Sequence, residues 1–411
     1  MKRHKIGVIA QDLIQAVTSI ENCKEPKGKP TAILSGQVSK NVNAVSITTM
    51  NKMATPKMSS VNTKKAIGKL KGRYLYLYES QTLMGNIASD INAVVHELQP
   101  EKLVVCTAWI ERNIYIKESI SYRNGVAAHK HPMATDAITP VKESNIAKII
   151  KNATGLNPKC IDISDIKRGS EYIARLIKNC HETIIICDAM KPAHLDSIAE
   201  AVLRHKDTWI ACGSGGLIRA MSPYLGYEDK GQAINPTSNN KPVLLVLGTI
   251  NNVTAIQLVT AAQQGMVYPV LVEPGDLWHR DKREYKILHI AQEVSEQLHL
   301  GNNVAITTTY SRFFPQFRRI AAYILSSIAR ISINDCNIET IFVSGGNTSY
   351  ALCKTLDVQK LEVEGSTTGR FFPLLTSAYA NDGTAYRLCF KSGSVWDEMT
   401  IVKALQFLRQ G

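Results

Sequence analysis

The chain has 411 residues, 45% of them hydrophobic and 20% charged, a balance that excludes a disordered chain at a length that predicts two domains. No apolar run reaches the roughly 18 residues that cross a bilayer. The basic start is followed only by a five-residue apolar stretch before Gln11 and Asp12 interrupt it, which argues against a secretory leader.

The net charge of +13 is unevenly placed: residues 1–80 hold 14 Lys/Arg against 4 Asp/Glu, a net +10, whereas residues 241–411 hold 16 against 14. Such a stretch attracts anions, but it lacks the interleaved aromatics of a stacking platform. It therefore reads as a solvated basic face, and nucleic acid is disfavoured as a partner. The nine cysteines form no Cys-x-x-Cys pair, and Cys106, Cys187 and Cys389 sit inside apolar runs. That is the pattern of free thiols in a reducing cytoplasm.

In chain order, residues 5–10, 74–78, 103–106, 183–187 and 209–212 read as buried strands, with amphipathic helices at 86–98 and 193–204 between them. This alternation predicts an α/β protein with largely parallel sheets covered by helices. Residues 40–72 carry no readable period. From 227 to 241 the chain turns polar, with Gly231, Asn235, Pro236, Asn239 and Asn240, and reads as a linker. A second alternating series follows, with strands at 243–247, 267–272, 303–307, 340–343 and 386–390. Helices begin near 254, 282, 315 and 399. The predicted domains are 1–230 and 241–411, each a mostly parallel sheet flanked by helices.

Three strand ends in the second domain run into glycine turns: Leu247-Gly248-Thr249, Ser344-Gly345-Gly346-Asn347-Thr348 and Lys391-Ser392-Gly393-Ser394. Glycine lets backbone approach a phosphate closely, and the N-terminus of a following helix offers unpaired N–H groups. Hydroxyls at Thr249, Thr348 and Ser392 add donors, and Lys391 adds a positive charge. All three turns follow strand C-terminal ends, where open α/β sheets gather ligands. No Gly-x-x-x-x-Gly-Lys-Ser/Thr loop and no Gly-x-Gly-x-x-Gly fingerprint is present, so the common NTPase and dinucleotide folds are not supported.

These loops resemble those of the four-carbon acid sugar kinases. The chain has Leu-Gly-Thr at 247–249, Gly-Gly-Asn-Thr at 345–348 and Lys-Ser-Gly-Ser-Val-Trp at 391–396. Further matches stand, in order, at Thr139-Pro140-Val141, Glu143-Ser144-Asn145, Asp188 and Gly213-Ser214-Gly215-Gly216-Leu217. The resemblance implies an ATP-dependent kinase that phosphorylates a hydroxyl of a small sugar acid with Mg²⁺. The first domain would take the sugar acid and the second the nucleotide. Gly248, Thr249, Gly345, Gly346, Thr348, Lys391 and Gly393 would contact the nucleotide. Thr82, Gly85 and Asn86 would contact the substrate, and Asp12 would be the catalytic carboxylate, as base or on the metal side. The metal ligands are not legible, and a homodimer is left open.

The chain also departs from the family. Where the family opens Asp-Asp-Leu-Thr-Gly-Ala, it has Gln11-Asp12-Leu13-Ile14-Gln15-Ala16. For Asp-Ser-Thr-Leu-Arg-Gly-Asn it has Ser80-Gln81-Thr82-Leu83-Met84-Gly85-Asn86, without the acid and the arginine. A Pro-x-x-Gly-Arg stretch expected within residues 109–116 is not found, and Trp396 replaces a glycine. Losses on the sugar-acid side leave a second reading, a weakened relative that binds nucleotide or sugar acid as a sensor. Asp12 has a rival role as a helix N-cap, and Asp188 one as a structural turn residue. His129 and His131 read as surface-loop or substrate-contact histidines.

Overall fold

The computed structural model describes residues 3–23, 29–136, 139–227, 241–248, 252–273, 280–308, 317–366, 374–393 and 397–409. Thr249, Trp396 and residues 228–240 of the expected linker lie outside these. The chain divides into two compact units, Met1–Ile33 with Gln37–Lys230, and Leu34–Gly36 with Gly231–Gly411.

In the first unit, β1 (Ile6–Ala10), β2 (Thr31–Ile33), β3 (Ala44–Thr48), β4 (Tyr74–Tyr78), β5 (Lys102–Cys106), β9 (Lys159–Ile161), β10 (Ile184–Cys187) and β11 (Trp209–Gly213) form a parallel sheet in the order β2-β3-β1-β4-β11-β5-β10-β9. The five residues of β1 are all buried, as a parallel strand covered on both faces requires. After β1 the chain builds β2 and β3 on one side, then crosses to β4 on the other. The sheet therefore reverses its winding between β1 and β4, the place where open α/β sheets hold ligands. Helix α1 (Leu13–Ile20) is buried along its whole length. Its polar side chains are satisfied locally, Thr18 donating to the Ile14 carbonyl and Ser19 to that of Ala16.

A strand and an α-helix fall in the stretch that carries no readable period, β3 and α2 (Pro56–Lys69), the latter started by Thr55 as N-cap with Pro56 behind it. Lys57, Lys64, Lys65 and Lys69 on α2 are exposed, the solvated basic face read from the sequence. A small antiparallel sheet, β6 (Ile114–Lys117), β7 (Ile120–Arg123) and β8 (Val126–Ala127), is also new. Its first turn places both Glu118 and Ser119 at positive φ. Asp188 anchors that turn by accepting both their backbone N–H groups, at 2.6 and 2.9 Å. Asp188 thus has the structural role weighed for it.

In the second unit, β12 (Leu244–Leu247), β13 (Tyr268–Val272), β14 (Val304–Thr308), β15 (Thr340–Ser344), β16 (Val358–Ser366), β17 (Leu374–Ala380) and β18 (Ala385–Lys391) run β13-β14-β12-β15-β18-β17-β16. The first five in that order pair in parallel, while β17 and β16 are antiparallel additions. Here too the winding reverses, between β12 and β15. The helix Thr400–Arg409 packs Ile401, Val402, Ala404, Leu405 and Leu408 against Leu245, Leu247, Phe342 and Cys389 of the sheet. Among the described residues no helix is long and apolar enough to cross a membrane.

Candidate functional site

The second unit brings the three glycine turns to one sheet edge. Leu247 pairs with Ser344, and Ser344 with Lys391, so the ends of β12, β15 and β18 lie level. Gly345 takes φ +104 and starts the helix Gly346–Thr355, and its N–H donates to the Lys391 carbonyl at 3.2 Å. Gly248 lies against Thr348 so closely that an added Cβ would overlap the threonine hydroxyl and stand 2.8 Å from its Cβ. Gly248→Ala is accordingly expected to cost about 1–3 kcal/mol of stability, read by urea unfolding at fixed pH. Thr348 is itself buried.

Lys391 is fully buried. Its ammonium donates to Thr254 Oγ1 and to the Ser392 carbonyl, both at 3.0 Å. Thr254 in turn donates to the Gly393 carbonyl at 2.9 Å, so one hydroxyl ties the start of the helix Asn252–Gln263 to the last glycine turn. No carboxylate pairs with Lys391 among the described residues, and burial brings its pKa down to about 7. Ser344, also buried, makes no side-chain hydrogen bond among the described residues. A buried lysine without a carboxylate partner, an idle hydroxyl and glycine-bared backbone meet at one edge, an arrangement suited to an anion. Of its parts, Thr254 and Ser344 take no role from the sequence alone, because a lone hydroxyl at a strand or helix end has no signature.

In the first unit the loops after β1 and β4 flank the reversal point. Asp12 caps α1, accepting the Gln15 N–H at 2.8 Å with one oxygen, while its other oxygen lies 3.7 Å from Lys52 Nζ. The capping role is therefore real and leaves one oxygen available for other work. Beneath Asp12 lies a buried polar cluster. The Gln11 amide donates to Glu79 at 2.6 Å and to Asp90 at 3.0 Å. The other Asp90 oxygen accepts from Asn51, Ser59 and Thr63 at 2.6–2.7 Å. Burial raises the pKa of both acids, that of Glu79 well above its ordinary range, with the Asp90 charge adding to the rise.

Gly85, at φ +103, leaves the room that the Gln11 side chain fills, since a Cβ there would overlap that amide. Gln11 thus holds the Asp12 turn to the loop carrying Thr82, Gly85 and Asn86. The Asn86 amide donates to the carbonyls of Asn51 and Ala54, at 2.6 and 2.8 Å, so its donors shape the site rather than project into it. Thr82 shares a 2.8 Å hydrogen bond with Ser80. Met84, at the place of the family's arginine, is buried.

Within residues 109–116, where no Pro-x-x-Gly-Arg stretch is readable, stands Arg112. Its guanidinium lies 3.9 Å from the centre of the Trp109 ring. Burial brings its pKa down to about 10, against the raising effect of Tyr78, and Arg123 lowers it further. Burial followed by the charge of Arg123 likewise lowers His131. The Tyr78 phenol, pushed up by burial, feels both Arg112 and Asp12. Arg112 therefore acts on the same phenol as Asp12, with Arg123 near enough to repel it, while His131 is held toward its neutral form. His129 bonds to Ser144 Oγ through Nδ1 at 2.6 Å. The Gly213–Gly216 match has a packing basis: a Cβ at Gly215 would overlap the Trp109 ring, and one at Gly216 the Ala108 carbonyl.

A family model described as a sugar-binding N-terminal domain matches residues 6–221, and one described as a nucleotide-binding C-terminal domain matches residues 244–401. The chain is 21% identical over 350 residues to a D-erythronate kinase of Heliobacterium modesticaldum, covering 78% of this chain and 77% of that protein. It is 23% identical over 241 residues to a D-threonate kinase of Salmonella typhimurium, covering 57% and 54%. A solved structure from Salmonella typhimurium LT2, described as a putative tRNA synthase, superposes with a TM-score of 0.78 at 18% identity over 97% of this chain and 98% of that one. At that identity the likeness is one of fold.

Proposed function

The chain belongs to the four-carbon acid sugar kinase family, and from that premise we propose that it transfers the γ-phosphoryl group of ATP to a hydroxyl of a small, tetronate-type sugar acid. The observation that carries the nucleotide half is Lys391, a fully buried cation with no carboxylate partner among the described residues, at the junction of three glycine turns. Polyphosphate is the anion that such a site fits. On this reading Gly248, Gly345, Gly346 and Gly393 bring backbone to the phosphates, Thr348 and Ser344 add hydroxyl donors, and Thr249 is expected to join them. Mg²⁺ would neutralise charge on the transferring phosphate, held chiefly by phosphate oxygens and water.

The sugar acid is assigned to the reversal point of the first unit, beside Thr82, Gly85 and Asn86. Arg112, with Arg123 near it, supplies the positive charge for its carboxylate that Met84 does not. Asp12 takes the proton of the acceptor hydroxyl as that oxygen bonds to phosphorus and the bond to ADP breaks. The relatives it matches are kinases by name, which favours phosphoryl transfer over a binding-only role.

The test is a coupled ADP-release screen over three- to six-carbon sugar acids with ATP and Mg²⁺. At least one acid is expected to give ADP and a phosphorylated product; none doing so would sink the kinase reading. Asp12→Asn keeps an N-cap acceptor but no base, so turnover should fall at least ~100-fold with the melting temperature nearly unchanged. Full turnover in that variant would remove Asp12 from the chemistry.

A further inference from the structure

The helices Arg280–His299 and Phe317–Cys336 of the second unit are both 20 residues long and run side by side. The Ser332 hydroxyl donates to the Ala291 carbonyl at 3.2 Å, and the Cys336 thiol lies 3.6 Å from the Ser295 carbonyl. Their C-terminal ends therefore converge. Each helix leads into the next strand, β14 or β15, so these ends lie by the starts of the strands, at the sheet edge opposite the glycine turns.

At the convergence stand His299, Asp335 and Cys336. One ligand atom from each lies within 4.8 Å of the other two, and the thiol is 3.9 Å from an Asp335 oxygen. The three differ in donor chemistry: imidazole nitrogen, carboxylate oxygen and sulfur. Asp335 forms no ion pair with a lysine or arginine, and His299 none with a carboxylate, among the described residues. Two helix C-termini add partial negative charge to the same corner. Burial, with Asp335 adding to it, raises the thiol pKa, and a bound cation would reverse that effect.

We propose that His299, Asp335 and Cys336 form a site for a divalent transition metal of the zinc class, with water in the fourth position. Thiolate with imidazole selects this class over Mg²⁺ and Ca²⁺, which prefer oxygen-only shells. On binding, the Cys336 proton leaves to water and the sulfur lone pair enters the metal shell, with no change of oxidation state. The metal ties two helix ends together, and the proposal is independent of the kinase reading.

Full-length protein stripped with a chelator is titrated with Zn²⁺ alone by calorimetry, and with Co²⁺ by absorption. One equivalent should bind, release a proton and give a thiolate-to-cobalt charge-transfer band. Cys336→Ala and His299→Ala should each weaken Zn²⁺ binding at least about tenfold and remove Zn²⁺-dependent thermal stabilisation. Circular dichroism of the metal-free variants checks that they fold. Absence of binding, or unchanged affinity and band in a folded Cys336→Ala protein, would overturn the site.

Discussion

Replacing Lys391 with methionine is expected to lower kcat/KM for ATP at least ~100-fold while making the empty protein more stable. The two effects have one cause. The ammonium is fully buried with two neutral acceptors, so the folded chain bears the desolvation of a charge that only an anion can offset. Its pKa stands near 7 in the fold against the ordinary 10.5. Between those values the unfolded chain carries a proton that the folded chain lacks, so stability rises with pH across that window. Below pH 7 the cost of the buried charge is present in full. Lys391→Met removes both the cost and the slope, which thermal unfolding between pH 6 and 9 would show. An arriving phosphate raises the lysine pKa again, so ATP binding above pH 7 should take up a proton and weaken as pH increases. Calorimetry in two buffers of different ionisation enthalpy measures that uptake. A Lys391→Met protein with undiminished turnover would refute the assignment.

Asp90→Ala should be the most destabilising single change in the first unit, costing about 3 kcal/mol or more. It strands Asn51, Ser59 and Thr63 beside one missing oxygen and an N–H of Gln11 beside the other. Because Gln11 precedes Asp12 and the Asn51 carbonyl holds the Asn86 amide, sugar-acid KM should rise even at temperatures where the variant is folded. Glu79→Gln is expected to behave in the opposite way. One Glu79 oxygen has no hydrogen bond among the described residues, and burial holds its pKa well above the ordinary value. As pH rises above that ordinary value the unfolded chain releases a proton that the folded chain keeps, so stability falls until the folded pKa is passed. The amide has no such titration. Urea unfolding at pH 5 and pH 8 should show Glu79→Gln gaining on the parent at the higher pH. Equal pH dependence in the two proteins would show that Glu79 does not titrate in this range.

The contrast between Gln11 and the acid of the family's opening motif is explained by the same cluster. An aspartate at position 11 would bring a third carboxylate to Glu79 and Asp90, all of them away from water. The amide instead donates to both. What looks from the sequence like the loss of a charged residue is, in the fold, a neutral bridge between two buried acids. Met84 stands where the family has an arginine, and Arg112 brings a guanidinium to the neighbourhood of Tyr78 from a different loop.

Alternation of apolar runs with helix-period segments was enough, by itself, to determine the α/β class and most strand positions, because strands buried on both faces are continuously apolar. Glycine after three strand ends marked the sheet edge where backbone lies bare. Helix α2 escaped because two of its inward residues, Ser59 and Thr63, are polar, their partner being Asp90 rather than an apolar core. A hydrophobic period cannot register a helix that buries hydroxyls. The order of strands, and with it the two reversal points, was decided only in three dimensions, since nothing in a strand's own residues names its neighbour. So too were the isolation of Lys391 and the pairing of Glu79 with Asp90. Burial and counter-ions are properties of surroundings assembled from distant segments, and a residue's type records neither.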